Sequence, residues 1–246
     1  MQSHVLIIVC ALTTALLVAC SDGSDSRNNG GSTPPPEPEP EVSLDETGIY
    51  SGTVVTEGGN VALMSLVLAR DGTTAITLQT DDSERATVVL WGLSDGDNGE
   101  ITFTGSDTSN DGDVSVDILV TGDEASGNLN LAGIRGVYQL VLESFSARAS
   151  NLQAIAGNYA RDDTLAGLSA LSISEDGIVE LQGSCEATGS VSEIDNQVNL
   201  YRLTLDSDCA ALDVLVSLQD IEVEQDVLSL TGDGGDSGFA RDFYRL

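Results

Sequence analysis

From Val42 onward, apolar residues recur at every second position. Val114, Val116, Ile118 and Val120 alternate with Ser115, Asp117, Leu119 and Thr121, and Leu212, Val214, Val216 and Leu218 alternate with Asp213, Leu215, Ser217 and Gln219. Tyr138, Leu140 and Leu142 do the same with Gln139, Val141 and Glu143. A period of two sends successive side chains to opposite faces, so these runs predict half-buried β-strands. Between them stand Asp71-Gly72, Asp95-Gly96, Asp111-Gly112 and Asp176-Gly177, dipeptides that tolerate the positive φ of tight hairpins. The pattern predicts strands near 48–55, 61–70, 73–80, 86–92, 99–105, 113–121, 125–132 and 136–144. A second set follows near 156–160, 167–174, 177–183, 186–194, 197–205, 210–219, 220–224 and 227–245, the last with a break. No helix longer than the connector from Ser146 to Ile155 is expected.

The chain starts again after that connector. Gly48-Ile-Tyr50 opens the first stretch and Gly157-Asn-Tyr159 the second, and each is followed by an apolar strand and an Asp-Gly turn, at Gly72 and Gly177. Short strands at a spacing of about 8–12 residues indicate an all-β sandwich or barrel. The expectation is therefore two tandem antiparallel β-barrel or sandwich domains of about eight strands each, spanning 42–148 and 149–246. A Gly-x-Tyr opening strand, eight antiparallel strands and a closing Tyr244-Arg245 resemble the calycin-type barrels (lipocalins, avidins). In that family a Gly-x-Trp on the first strand packs near an Arg from the last. The resemblance implies this place for Tyr50 or Tyr159; the first half ends in Tyr138-Gln139, without the arginine. It also implies a lumen that could take a small hydrophobic ligand, if the inward side chains leave room.

The N-terminus has a different character. Val5 to Ala19 is an apolar run, too short for the roughly 20 residues that span a bilayer and suited to the core of a secretion signal. It ends in Leu17-Val18-Ala19-Cys20, which resembles the lipobox of bacterial lipoproteins. The resemblance implies cleavage of 1–19, a lipid on Cys20, and, with Ser21 in the next place, the outer membrane. The n-region Met1-Gln-Ser-His4 departs from the pattern in having no Lys or Arg. Residues 20–41 read as a spacer, flexible at first and then extended polyproline II from Pro34 to Pro40.

Charge narrows the function classes. The chain has 40 Asp+Glu against 9 Lys+Arg, a formal charge of -31, and every cation is an arginine. Nucleic acid is excluded as a partner, because a phosphate backbone is bound by clustered cations. The single histidine is His4, inside the expected signal, so the mature chain lacks the usual general base and the commonest nitrogen metal ligand. Five acids and one arginine precede Val42, which leaves -27 on the β body. Such a surface keeps a protein hydrated and would steer a basic protein partner, such as a lysozyme that the chain inhibits or decoys.

Candidate sites are few. With Cys10 in the signal and Cys20 lipidated, Cys185 and Cys209 remain in an oxidising compartment. They should form a disulfide that stabilises the second domain by about 3 kcal/mol. Asp107, Ser109, Asp111 and Gly112, with Asp113 beside them, place oxygen ligands and a glycine as a calcium loop does. The twelfth position, where a bidentate Glu would close the shell, is Ile118, and an ordinary hairpin turn gives the same spelling. The acidic runs Asp95 to Glu100 and Asp233 to Asp236 carry less of the pattern. A hydrolase would need two carboxyls across a cleft, which an acid-rich sequence cannot single out. Trp91 and Phe103 read as core rather than as a sugar platform. These readings favour a non-catalytic binding or structural module, with no cofactor apart from the Ca2+ candidate.

Overall fold

A computed structural model describes residues 43–80, 88–108, 112–131, 134–161, 168–183, 186–207, 210–220, 226–234 and 238–246. One compact unit runs from Pro40 to Leu246. Its first eight strands are β1 (Gly48–Thr56), β2 (Val61–Leu68), β3 (Thr73–Thr80), β4 (Val88–Asp97), β5 (Glu100–Asp107), β6 (Gly112–Thr121), β7 (Glu124–Leu131) and β8 (Ile134–Leu142). A 3-10 turn, Ser144–Ala147, and the short helix α1 (Leu152–Ile155) connect them to the rest. Then follow β9 (Gly157–Ala160), β10 (Leu168–Ile173), β11 (Ile178–Gly183), β12 (Ala187–Asp195), β13 (Leu200–Ser207), β14 (Ala210–Asp220), β15 (Asp226–Asp233) and β16 (Gly238–Arg245). Each set is an antiparallel meander closed on itself, β1 against β8 and β9 against β16. The fold is two closed eight-stranded barrels in tandem.

One turn expected from the sequence lies elsewhere. Asp95-Gly96 is not a turn: it lies inside β4, with Gly96 opposite Ile101. A Cβ on Gly96 would sit 2.1 Å from the Glu100 carbonyl oxygen, so this glycine lets β5 approach. The turn is one step on, where Asn98 (φ 52°) and Gly99 (φ 82°) are both left-handed, the pair that a type I′ hairpin requires. The strand expected at 220–224 lies almost wholly outside the described residues. Asp220 closes the long β14, positions 221–225 lie outside the described residues, and the break in 227–245 divides β15 from β16.

Alternation puts one face of every strand into a lumen. Tyr50, Ile76, Phe103, Tyr138 and Leu140 fill the first barrel. Tyr159, Tyr201, Leu203, Val214 and Phe243 fill the second. The buried hydroxyls of Tyr138, Tyr159 and Tyr201 bond to the backbone. Tyr138 donates to the Asp117 carbonyl at 2.9 Å, in space that exists because position 127 has no Cβ. Tyr159 donates to the Ile155 carbonyl at 2.7 Å, and Tyr201 both accepts from the Asn151 N–H at 2.8 Å and donates to its carbonyl at 3.1 Å. Burial raises the pKa of Tyr50 to about 12 and also raises those of Tyr138, Tyr159 and Tyr201.

The first strand of each barrel meets the last at an equivalent place. In the second barrel the Arg245 guanidinium lies 5.4 Å from the Tyr159 ring centroid. It donates to the Tyr159 hydroxyl at 3.0 Å and the Ala156 carbonyl at 3.2 Å, and pairs with Asp226. In the first barrel Leu142 stands opposite Tyr50 and packs on Gly48. Leu142 and Arg245 thus occupy corresponding positions.

A third apolar core joins the barrels. Ile49, Val67, Ala69 and Ala75 from the outside of the first pack with Val198, Leu200 and Leu215 from the outside of the second, with Trp91 and Phe145 against them. Gly232 of β15 makes room for Trp91, whose ring would be 2.9 Å from a Cβ there. Polar contacts border the seam. Arg70 Nε donates to Asp195 at 2.6 Å, and that carboxylate also accepts from the Gln197 N–H at 2.8 Å. The buried Asn199 donates to the carbonyls of Phe145 (3.2 Å) and Leu218 (2.6 Å).

Candidate functional site: a polar groove between the barrels

Residues directly opposite each other in a ladder share a face, so the outward side chains of β1, β2 and β3 form rungs. The innermost rung is Ile49, Val67 and Ala75, which belongs to the third core. One step outward stand Ser51, Ser65 and Thr77, and then Thr53, Leu63 and Gln79. The facing wall from β14, β15 and β16 repeats the sequence. Its rungs are Leu215, Thr231 and Ala240; then Ser217, Ser229 and Asp242; then Gln219, Val227 and Tyr244. The barrels therefore touch through apolar side chains and part where both walls become polar. The opening is a groove of about 950 Å³.

Hydrogen bonds hold several of these groups in place. Gln219 Nε2 donates to Ser229 Oγ at 3.1 Å, which donates to the Asp242 carboxylate at 2.6 Å. On the other wall Ser51 Oγ donates to Glu143. Two arginines also line the groove, Arg161 after β9 and Arg241 on β16. Their guanidinium carbons lie 5.7 Å from the Phe243 and Phe239 ring centroids respectively. β9 pairs with β16 only at Tyr244 and Arg245, and Arg241 lies on the stretch of β16 before that seam. At the mouth, Leu63 is 55% and Tyr244 41% exposed.

No protein-family model, curated protein or solved structure matches the chain. The groove is therefore read from its own chemistry. It offers hydroxyls, amides, guanidinium groups and one carboxylate on rigid paired strands, which suits the reversible holding of a polar molecule.

None of the described residues singled out from the sequence as candidate sites lines the groove. Asp107 ends β5 opposite Gly112, while Asp113 stands opposite Ser106, so Asp107 and Asp113 belong to opposite faces of the ladder. Ser109 and Asp111 lie outside the described residues. So do Cys20, Cys185 and Cys209. Asp233 ends β15 opposite Gly238 of β16. Phe103 is buried in the first lumen, and Trp91 belongs to the seam between the barrels. None of the groove's hydroxyl rungs was singled out, because each draws single residues from three separate strands.

Proposed function

We propose that the chain is a non-catalytic binding module of the bacterial envelope whose ligand sits in the groove between its two barrels. A lipid on Cys20 and the Pro/Glu spacer tether it to the outer membrane. The observation that carries the reading is the pair of facing hydroxyl rungs, Ser51-Ser65-Thr77 and Ser217-Ser229-Asp242, set above a dry core. Solvated outer faces of barrels carry such residues everywhere. Here two such faces converge into a concavity in the volume range of ligand sites, on side chains whose ordering cost the ladders have already met. The ligand is accordingly polar, and the lumens, filled by large side chains, serve the fold.

The test is a thermal-shift panel of oligosaccharides and long-chain fatty acids on the mature protein, repeated with Ser65→Trp, which fills the groove from one wall. Stabilisation by a polar ligand that S65W abolishes supports the reading. Stabilisation by a fatty acid that S65W leaves intact would place the site in a lumen and refute it. Replacement of Cys20 by Ser should move the protein from the membrane fraction to the soluble fraction; retention in the membrane would refute the tether.

A further inference from the structure

Cations are scarce in this protein, with 9 arginines against 40 acids, and their placement is uneven. Arg70, Arg202 and Arg245 are each bound to a carboxylate, those of Asp195, Asp213 and Asp226. Arg241 is placed differently. Among the described residues it donates to the Ala240 carbonyl at 2.7 Å and lies over the Phe239 ring, with no carboxylate in ion-pair contact. It lines the groove, and Arg161 lines it as well. A guanidinium over a ring keeps its in-plane donors directed away from that ring. Among the described residues, the one acid in the groove's lining is Asp242, which already accepts from Ser229. Among the described residues, the lining thus sets the Arg241 guanidinium beside a single acid in a body of -27.

Building on the groove as ligand site, we propose that its ligand is an anionic saccharide, with the acidic group held by Arg241 and the hydroxyls by the facing rungs. Guanidinium groups bind carboxylates and sulfates by paired, charge-assisted hydrogen bonds. Serine, threonine and glutamine both donate and accept, as sugar hydroxyls do. Tyr244 at the mouth offers an exposed ring for a sugar face.

The proposal has a salt signature. A free anion is repelled by the -27 body over tens of ångströms, and salt screens that repulsion more than it screens direct contact with a guanidinium. From 10 to 150 mM salt the Debye length falls from about 30 to about 8 Å, so affinity should rise by roughly tenfold per ligand charge. A basic partner attracted by the surface charge would show the opposite trend.

The experiment is calorimetric titration of the mature chain with a uronic-acid tetrasaccharide and with a neutral glucose tetrasaccharide, at both salt concentrations. The uronate should bind, more tightly at 150 mM. Arg241→Gln should weaken it by roughly tenfold or more, and Arg135→Gln, on β8 outside the groove, should leave it unchanged. Uronate affinity that falls with salt, or that R241Q does not lower, overturns the proposal. Equal binding of the neutral sugar, abolished by S65W, overturns the anionic class while the groove stands; absence of binding by both sugars overturns the saccharide class. Binding indifferent to S65W overturns the groove itself.

Discussion

Leu215 is the residue whose truncation most directly tests whether the barrels stand as one body. It is 2% exposed, yet it points away from the second lumen and into the core shared with Ile49, Val67 and Ala75. Leu215→Ala removes three carbons, worth about 2.4 kcal/mol at about 0.8 kcal/mol each. The cavity left between two stiff walls adds to that, for a total of about 3–4 kcal/mol. For a body of this size each kcal/mol moves Tm by about 2–4 °C, so the expected shift is roughly 6–16 °C. The assay is differential scanning calorimetry of the wild type, L215A, and L203A as a lumen control of the same chemistry. The wild type should melt in one transition, and L215A should lower it as a single transition. Two wild-type transitions, with L215A moving only one by less than about 1 kcal/mol, would show that the third core does not couple the barrels.

Three further outcomes are expected. Tyrosine pKa values raised in the folded state mean stability that is fully present below about pH 10 and is lost as pH rises toward the folded values, with Tyr50 at about 12; ultraviolet titration should show the buried phenols ionising together with unfolding, and early reversible ionisation of them in the folded protein would contradict this. Arg70→Gln strips the partner from the nearly buried Asp195, which keeps its bond from the Gln197 N–H, so with the arginine itself partly exposed a loss of about 1–2 kcal/mol is expected in urea titration, and an unchanged midpoint would contradict it. With Cys10 in the expected signal and Cys20 as the lipid carrier, Cys185 and Cys209 are left to pair in an oxidising compartment; thiol labelling of the unfolded, unreduced protein should find both protected, and two free thiols would refute the disulfide.

The barrels were legible in the sequence because each strand states its own face. Val114-Ser115-Val116 alternates whatever lies far away in the chain, and the turn residues mark the ends within a residue or two. Asp95-Gly96 misleads because glycine answers two needs, a left-handed turn and a close backbone approach. At Gly96 the second applies, and the turn falls to Asn98-Gly99. The groove was not legible for a different reason. Ser51, Ser65 and Ser229 are spelled like any outward residue on a wet strand, and only the meeting of two walls distinguishes them. A partial signal was present: Leu215, Ile49 and Val67 are apolar on the outward parity, as a covered outer face would be. Leu119 and Val141 have the same parity and are 48% and 54% exposed, so an outward apolar residue does not by itself disclose which face is covered.

The central claim is that both walls of the groove hold one ligand. It is tested most directly by amide chemical-shift mapping of the isotope-labelled mature chain as the uronic-acid tetrasaccharide is added. Perturbations are expected on both walls, at Ser51 and Ser65 and at Ser217 and Ser229, together with Arg241. Shifts confined to one wall, or centred on lumen residues such as Tyr138 or Leu203, would contradict it.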